Sequence, residues 1–317
     1  MGIVSRDELE VGLARAAAAT RDHRAGIYGP GSLSWEINRE VIQMWGGGRA
    51  ILLQLAHPFV AHAVDQHSHT RTDARGRFQR TFANVFAMAF GDLDHAFRAA
   101  RRVHAIHTRV HGEIDEDVGV WRRGTRYHAN DVGALLWVHA TLVDTAIVVR
   151  EALFGALDAY RAERFYQEQK RFAYLFGIPD EAMPADHPAF RAYMERMLGS
   201  GEIAVGRPAR EIARFVLAAP TPALGPVMDW YQVMTAGLLP ASLRGEFGLR
   251  FGGLERAVYR ASVAAMRPAI KVLPRRLRYF PGYLEAEARL GARRPRLVGR
   301  IADRLAASGL GIWPRGT

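Results

Sequence analysis

From Glu36 to Leu290 the apolar residues return at every third or fourth position, and stretches of strict alternation are rare. That period lines apolar side chains along one face of a helix and leaves the other face to water. Gly76–Phe90 shows it plainly, with Phe78, Thr81, Phe82, Val85, Phe86 and Ala89 on one side. Val132–Leu153, containing LLWVHATLVDTAIVV, is apolar almost all round and predicts a central, buried helix. A chain built this way folds by packing helices on helices.

The punctuation sets the expected boundaries. Glu36–Trp45 reads as a helix stopped by Gly46-Gly47-Gly48; the glycines lack the Lys-Ser/Thr of a phosphate loop. Arg49–Ala63 reads as a helix broken beside His57, because Pro58 cannot donate an internal hydrogen bond. Leu93–His111 is expected to end at Gly112, Asp115–Asp131 to form a loop, and Asp131 to cap the next helix. Further helices are expected at Leu157–Phe176, Ala189–Leu198, Arg207–Ala218, Met228–Leu239, Ala241–Phe247, Leu254–Ala265, Pro281–Leu290 and Leu297–Ala307. The result is one all-α domain spanning residues 1–317. Its core covers about 30–266, and a basic, Pro/Arg-rich extension covers 267–317.

The chain has no cysteine, which excludes disulfides, iron–sulfur clusters and thiolate-ligated haem. The formal charge of +11 comes mostly from arginine spread along the chain, densest at Arg275, Arg276, Arg278 and Arg293, Arg294, Arg296. No zinc finger, basic zipper or RNA-binding strand pair accompanies it, so nucleic acid is not the expected partner. A peripheral contact between the basic C-terminal part and a membrane is compatible with the charge. The N-terminus carries charge throughout and lacks the apolar run of a signal peptide, so cytoplasmic residence is expected. No run approaches 18 uncharged apolar residues, and no membrane span is expected.

Ten of the twelve histidines lie between His57 and His139. In RRVHAIHTRVHG, His104, His107 and His111 are three and four residues apart, which places them along one helix face. Imidazole is a common ligand for iron, copper and zinc. His107 has Val103, Ile106 and Val110 around it, which favours it as an inward-facing ligand; His104 and His111 lie beside arginines. His139 sits inside an apolar helix, where a hydrogen-bonded core histidine is the bland alternative. His57 has the same ambiguity, and His67 and His69 fall in a polar turn. Arg77, Arg80 and Thr81 form R-x-x-R-T within about one helical turn; two guanidiniums and a hydroxyl suit a propionate, a phosphate or an oxygen-derived anion. Asp65 and Asp73 are the acids nearby. On these residues alone the reading is an α-helical protein with a metal or haem.

LLQLAHPFVAHAVDQHS, D-x-x-x-R-x-x-R-T-F, HTRVHG and YHANDVGALLWVHATLVDT, in that order, resemble the latex-clearing proteins (rubber oxygenases) and the related fungal oxygenase of mycophenolic acid biosynthesis. The segment ERFYQEQKRFAYLFGIPDEAMPADHPAFRAYMERML is similar as well, and the likeness covers roughly residues 30 to 240. The resemblance implies a globin-like helical core with extra helices that binds haem b. It implies an activity that cleaves carbon–carbon double bonds of isoprenoid chains with O2. It makes His107 the iron ligand and puts Arg77 and Thr81 beside the haem. Arg80 stands where those enzymes have a lysine, and arginine is a poor iron ligand. Their distal glutamate has no counterpart here, and Asp65 is the substitute base. His139 is then a histidine near the cofactor. The expected pocket uses Phe82, Phe86 and Leu136, with a small lipid or terpenoid as substrate. Two alternatives stay open: a non-haem metal oxygenase using His57, His107 or His139 with Asp144, and a haem- or lipid-binding protein without turnover.

Overall fold

The computed structural model describes residues 2–67 and 84–291. The fold is all-α, with one two-stranded hairpin among the described residues. Helix α1 (Arg6–Ala18) opens on Ser5, whose hydroxyl accepts from Glu8 N–H while Glu8 returns the bond to Ser5 N–H. There follow α2 (Leu33–Asn38), a 3-10 turn at Val41–Gly46, α3 (Gly47–Leu55), α4 (Pro58–His67) and α5 (Leu93–His107). Strands β1 (His111–Glu113) and β2 (Arg126–His128) pair antiparallel, with His111 opposite His128. The chain continues through α6 (Val132–Phe154), α7 (Ala159–Tyr174), α8 (His187–Gly199), α9 (Arg207–Val216), α10 (Gly225–Leu238), α11 (Ala241–Glu246), α12 (Gly253–Val272), α13 (Arg275–Arg278) and α14 (Pro281–Arg289).

Helix α6 is the axis of the core. Asp131 caps it as expected, its carboxylate accepting from Ala134 N–H at 2.9 Å. By length and hydropathy this helix could cross a membrane, yet 72% of its most apolar window is buried inside the protein. Trp137, fully buried, donates its indole N–H to the Leu53 carbonyl at 2.8 Å and fastens α6 to α3.

Two boundaries depart from expectation, and a third, at Pro58, meets it. The single helix expected over Glu36–Trp45 is split into α2 and the 3-10 turn, which ends at Gly46 as the glycines suggest, but Gly47 at once begins α3. The glycines serve close packing: a Cβ on Gly46 would lie 2.4 Å from Thr145 Cγ2 on α6, and one on Gly48 would lie 2.2 Å from Thr235 Oγ1 on α10. The break at Pro58 is present, and the chain is well accommodated there. Pro58 opens α4, where its missing N–H costs nothing, and His57 Nδ1 accepts from Phe59 N–H at 3.2 Å. Helix α5 stops at His107 instead of His111, because Thr108 caps it and turns its hydroxyl onto the His104 carbonyl. The chain then enters β1 ahead of Asp115–Asp131, the stretch read as a loop, and β2 lies inside that stretch.

Helix α12 runs on through Pro268 to Val272, and the following residues fold back onto the N-terminal half. Arg278 grips the buried Glu40 with two hydrogen bonds of 2.8 Å, and Tyr283 meets Trp35 edge-on at 5.5 Å. The expected helix at Leu297–Ala307 lies outside the described residues.

Candidate functional site

The buried stripe of α5 is Ala96, Ala99, Ala100 and Val103, and His107 continues it at the last position. Ile106 is 45% exposed and does not surround His107. The three histidines of RRVHAIHTRVHG are split up. His104 donates Nε2–H to the Val4 carbonyl at 3.0 Å, and His111, on the strand, stacks on His128 with planes inclined by 8°. His107 is left with a buried Nδ1 that has no hydrogen-bond partner among the described residues. Burial lowers its pKa to about 4, against a contact from Asn130 that favours the charged form. The ring is therefore neutral near pH 7, with a lone pair free for a ligand role.

His139 goes further. It is buried in the middle of α6, and neither ring nitrogen has a partner among the described residues. The bland alternative, a hydrogen-bonded core histidine, is not what the described residues show. Burial alone lowers this pKa to about 4. His57 is buried and neutral too, also at about 4, but its Nδ1 is occupied by Phe59 N–H and its ring lies between Phe59 and Trp121.

Asp65 lies on α4, near Tyr127 and Arg207. Burial first, and then the Asp65 charge, push the Tyr127 hydroxyl up to about 12. Tyr127 donates to Gln66 Oε1 at 2.7 Å. Successive strand residues face opposite sides, so Tyr127 and its α4 neighbours lie on one face of the hairpin and His128 on the other. The charges that bear on His107 are those of His104 and His128. Arg77, Arg80 and Thr81 lie outside the described residues, as do Phe82 and His69.

Asp144 is committed elsewhere. Its carboxylate pairs with the buried Arg49 and accepts from Arg191 Nη1 at 3.1 Å, while Arg49 also donates to Thr145 Oγ1 and the Leu238 carbonyl. It is no free carboxylate for a metal. Phe86 and Leu136 do not share a pocket. Phe86 packs against Phe90 and Phe280 beneath the C-terminal helices, and Leu136 belongs to the main core. Two clefts, of about 340 and 680 Å³, adjoin Pro30, Gly31 and Ser32, and neither is lined by His107 or His139.

One cluster had no signature in the sequence. His62, buried on α4, donates Nδ1–H to the Pro58 carbonyl and directs Nε2 at Asp115 Oδ1, 2.9 Å away. With Glu116, these ligand atoms lie within 4.8 Å of one another, a spacing open to a cation. Arg207 already engages both acids, its guanidinium on Asp115 and its backbone N–H on Glu116. Against the cost of burial, the His62 bond and Arg207 hold the Asp115 carboxyl below the usual range. A contact across 53 residues leaves no spacing pattern to read.

A haem iron needs a neutral imidazole with an uncommitted nitrogen. His107 fits by its orphaned Nδ1, and His139 fits by two. His57 does not, since its Nδ1 lone pair is taken by Phe59 N–H, whereas His104 donates Nε2–H to the Val4 carbonyl and keeps the lone pair of Nδ1.

Residues 35–268 match the family described as ER-bound oxygenase mpaB/B'/Rubber oxygenase, catalytic domain. An uncharacterised protein of Mycobacterium bovis is 27% identical over 239 residues, covering 73% of this chain and 89% of the relative. An uncharacterised protein of Mycobacterium tuberculosis matches with the same identity and coverage. No solved structure matches.

Proposed function

Because the chain belongs to the family of mpaB-type and rubber oxygenase catalytic domains, we propose that it is a haem b-dependent oxygenase acting with O2 on a carbon–carbon double bond of a hydrophobic isoprenoid or lipid substrate. The observation that carries this reading is the half-buried, neutral imidazole of His107 at the end of α5, whose Nδ1 is buried and has no partner among the described residues. Cleavage of an alkene by one O2 places one oxygen atom in each of two carbonyl products, so the balance needs no outside reductant.

His107 holds the iron. A protonated imidazole has no lone pair to offer, and the burial that lowers its pKa keeps the ring in the binding form at pH 7. Bound haem supplies the activation of O2. His139 offers the cofactor side a second neutral ring whose nitrogens have no other partner among the described residues. By the family resemblance Arg77 and Thr81 would stand beside the haem, with Arg77 the group to stabilise its propionates, and Arg80 would be a poor iron ligand. Asp65, on α4 near Tyr127 and Arg207, is the acid that would stand in for the base.

The test is the visible spectrum of the purified protein reconstituted with haem. A Soret band lost in His107→Ala and kept in His104→Ala supports the reading. A colourless protein carrying stoichiometric zinc or iron overturns it. That result would favour a non-haem metal at His62, Asp115 and Glu116, whose mutual distances admit an ion. Substrate-dependent O2 consumption separates an oxygenase from a haem or lipid carrier.

A further inference from the structure

Between Arg256 and Leu284 the chain contains no Asp or Glu, and it carries Arg256, Arg260, Arg267, Lys271, Arg275, Arg276 and Arg278. Two of these are spoken for by acids from elsewhere: Arg275 pairs with Glu287 and Arg278 with Glu40. Arg256, Arg260, Lys271 and Arg276 are exposed and make no ion pair among the described residues. Along α12, Arg256, Arg260, Arg267 and Lys271 fall within about 60° of one another at 100° per residue. They form one cationic row.

The rest of the outward face is apolar. Ala257, Ala261, Ala264 and Ala265 are exposed beside the row. Leu254 (75% exposed) and Val272 (81%) share one azimuth at the two ends of the helix. At the corner made by Pro274, Leu273 and Leu277 also protrude, Leu277 to 66%. The opposite face of α12, through Tyr259, Val263 and Met266, packs on Val149, Leu153 and Leu238. The helix is therefore anchored by one side and presents a cationic edge, a smooth alanine floor and projecting aliphatic residues on the other.

We propose that this face docks on an anionic lipid bilayer surface. A helix lying in the interface needs this combination, with cations at headgroup level and aliphatic side chains just below. A second copy packed symmetrically would set the cationic row against itself. Nucleic acid gains nothing from Val272, Leu273 and Leu277, and no aromatic ring is exposed on α12 to stack a base. The surface stands on charge and exposure alone. Its link to a lipid-soluble substrate rests on the proposed function, and the test below does not use activity.

The full chain is sedimented with phosphatidylcholine vesicles, with and without phosphatidylglycerol, at low and high salt. The 292–317 segment, itself arginine-rich, is kept in every protein, so differences between variants report the α12 face. Wild type is expected to bind only the anionic vesicles. Replacing Arg256, Arg260, Lys271 and Arg276 with Gln should weaken partitioning by about fivefold for each cation removed. Val272→Ser with Leu277→Ser should abolish the binding that survives high salt. Circular dichroism and melting should be unchanged in both, since every substituted side chain is exposed. Equal binding by wild type and the Gln variant overturns the proposal, as does absence of binding by wild type or tighter binding to duplex DNA than to vesicles.

Discussion

His139 lies almost flat against Phe172, ring centroids 6.2 Å apart and planes inclined by 18°, while neither of its nitrogens meets a partner among the described residues. A fully buried polar ring without hydrogen bonds costs the fold about 1–3 kcal/mol for each orphaned group. His139→Leu should therefore stabilise the cofactor-free protein by about that amount, read as a higher urea midpoint. The same variant should retain haem less well. A drop in cofactor-free stability would mean that the ring has a structural task in the folded chain itself.

Arg49 and Asp144 form a buried pair with side chains only 4% exposed. Removing one partner leaves the other charge in the core, which costs about 3–5 kcal/mol. Asp144→Ala should lower the unfolding free energy by that much in urea titration. The double variant Arg49→Met, Asp144→Leu should recover most of the loss. A near-neutral single variant would show that water reaches the pair.

Three histidines, the buried His57 and His139 and the half-buried His107, have pKa values lowered by burial to about 4, from an ordinary 6.5. Below pH 6.5 the unfolded chain takes up protons that the folded chain refuses, so stability is full above 6.5 and falls as the pH drops toward 4. Each ring contributes about 3 kcal/mol across that window. Denaturant midpoints measured from pH 7.5 to 4.5 should fall steeply below 6.5. The fall should be shallower in His139→Leu.

Gly48 passes so close to α10 that an added Cβ would overlap Thr235 Oγ1. Gly48→Ala should destabilise by about 1–3 kcal/mol through overpacking. Gly48→Ala with Thr235→Ala should restore most of it. An unchanged melting temperature in the single variant would mean that the helices can separate at little cost.

The local grammar of the chain was legible. Asp131 capped its helix, Pro58 broke its own, and the apolar run of Val132–Leu153 became the core helix, because caps, prolines and amphipathic periods act through residues a few positions apart. His107, singled out among its neighbours, has a buried Nδ1 without a partner among the described residues. Of Val103, Ile106 and Val110, the residues placed around it, Val103 packs on the core and Ile106 faces outward. His111 left the shared face because Thr108 stopped the helix early, and nothing in the histidine spacing signals that.

By itself, the sequence determined the helical class, the central helix of Val132–Leu153 with its cap, the absence of cysteine chemistry and the motif order that marks the family. Tertiary structure alone decided which polar groups were consumed and which were left over. It spent His104 on Val4, Asp144 on Arg49 and Asp115 on His62, and left His107 and His139 unpaired. The reason is physical: a period of three or four is written within one helix, whereas a hydrogen bond between residues 95 or 100 positions apart depends on how helices cross.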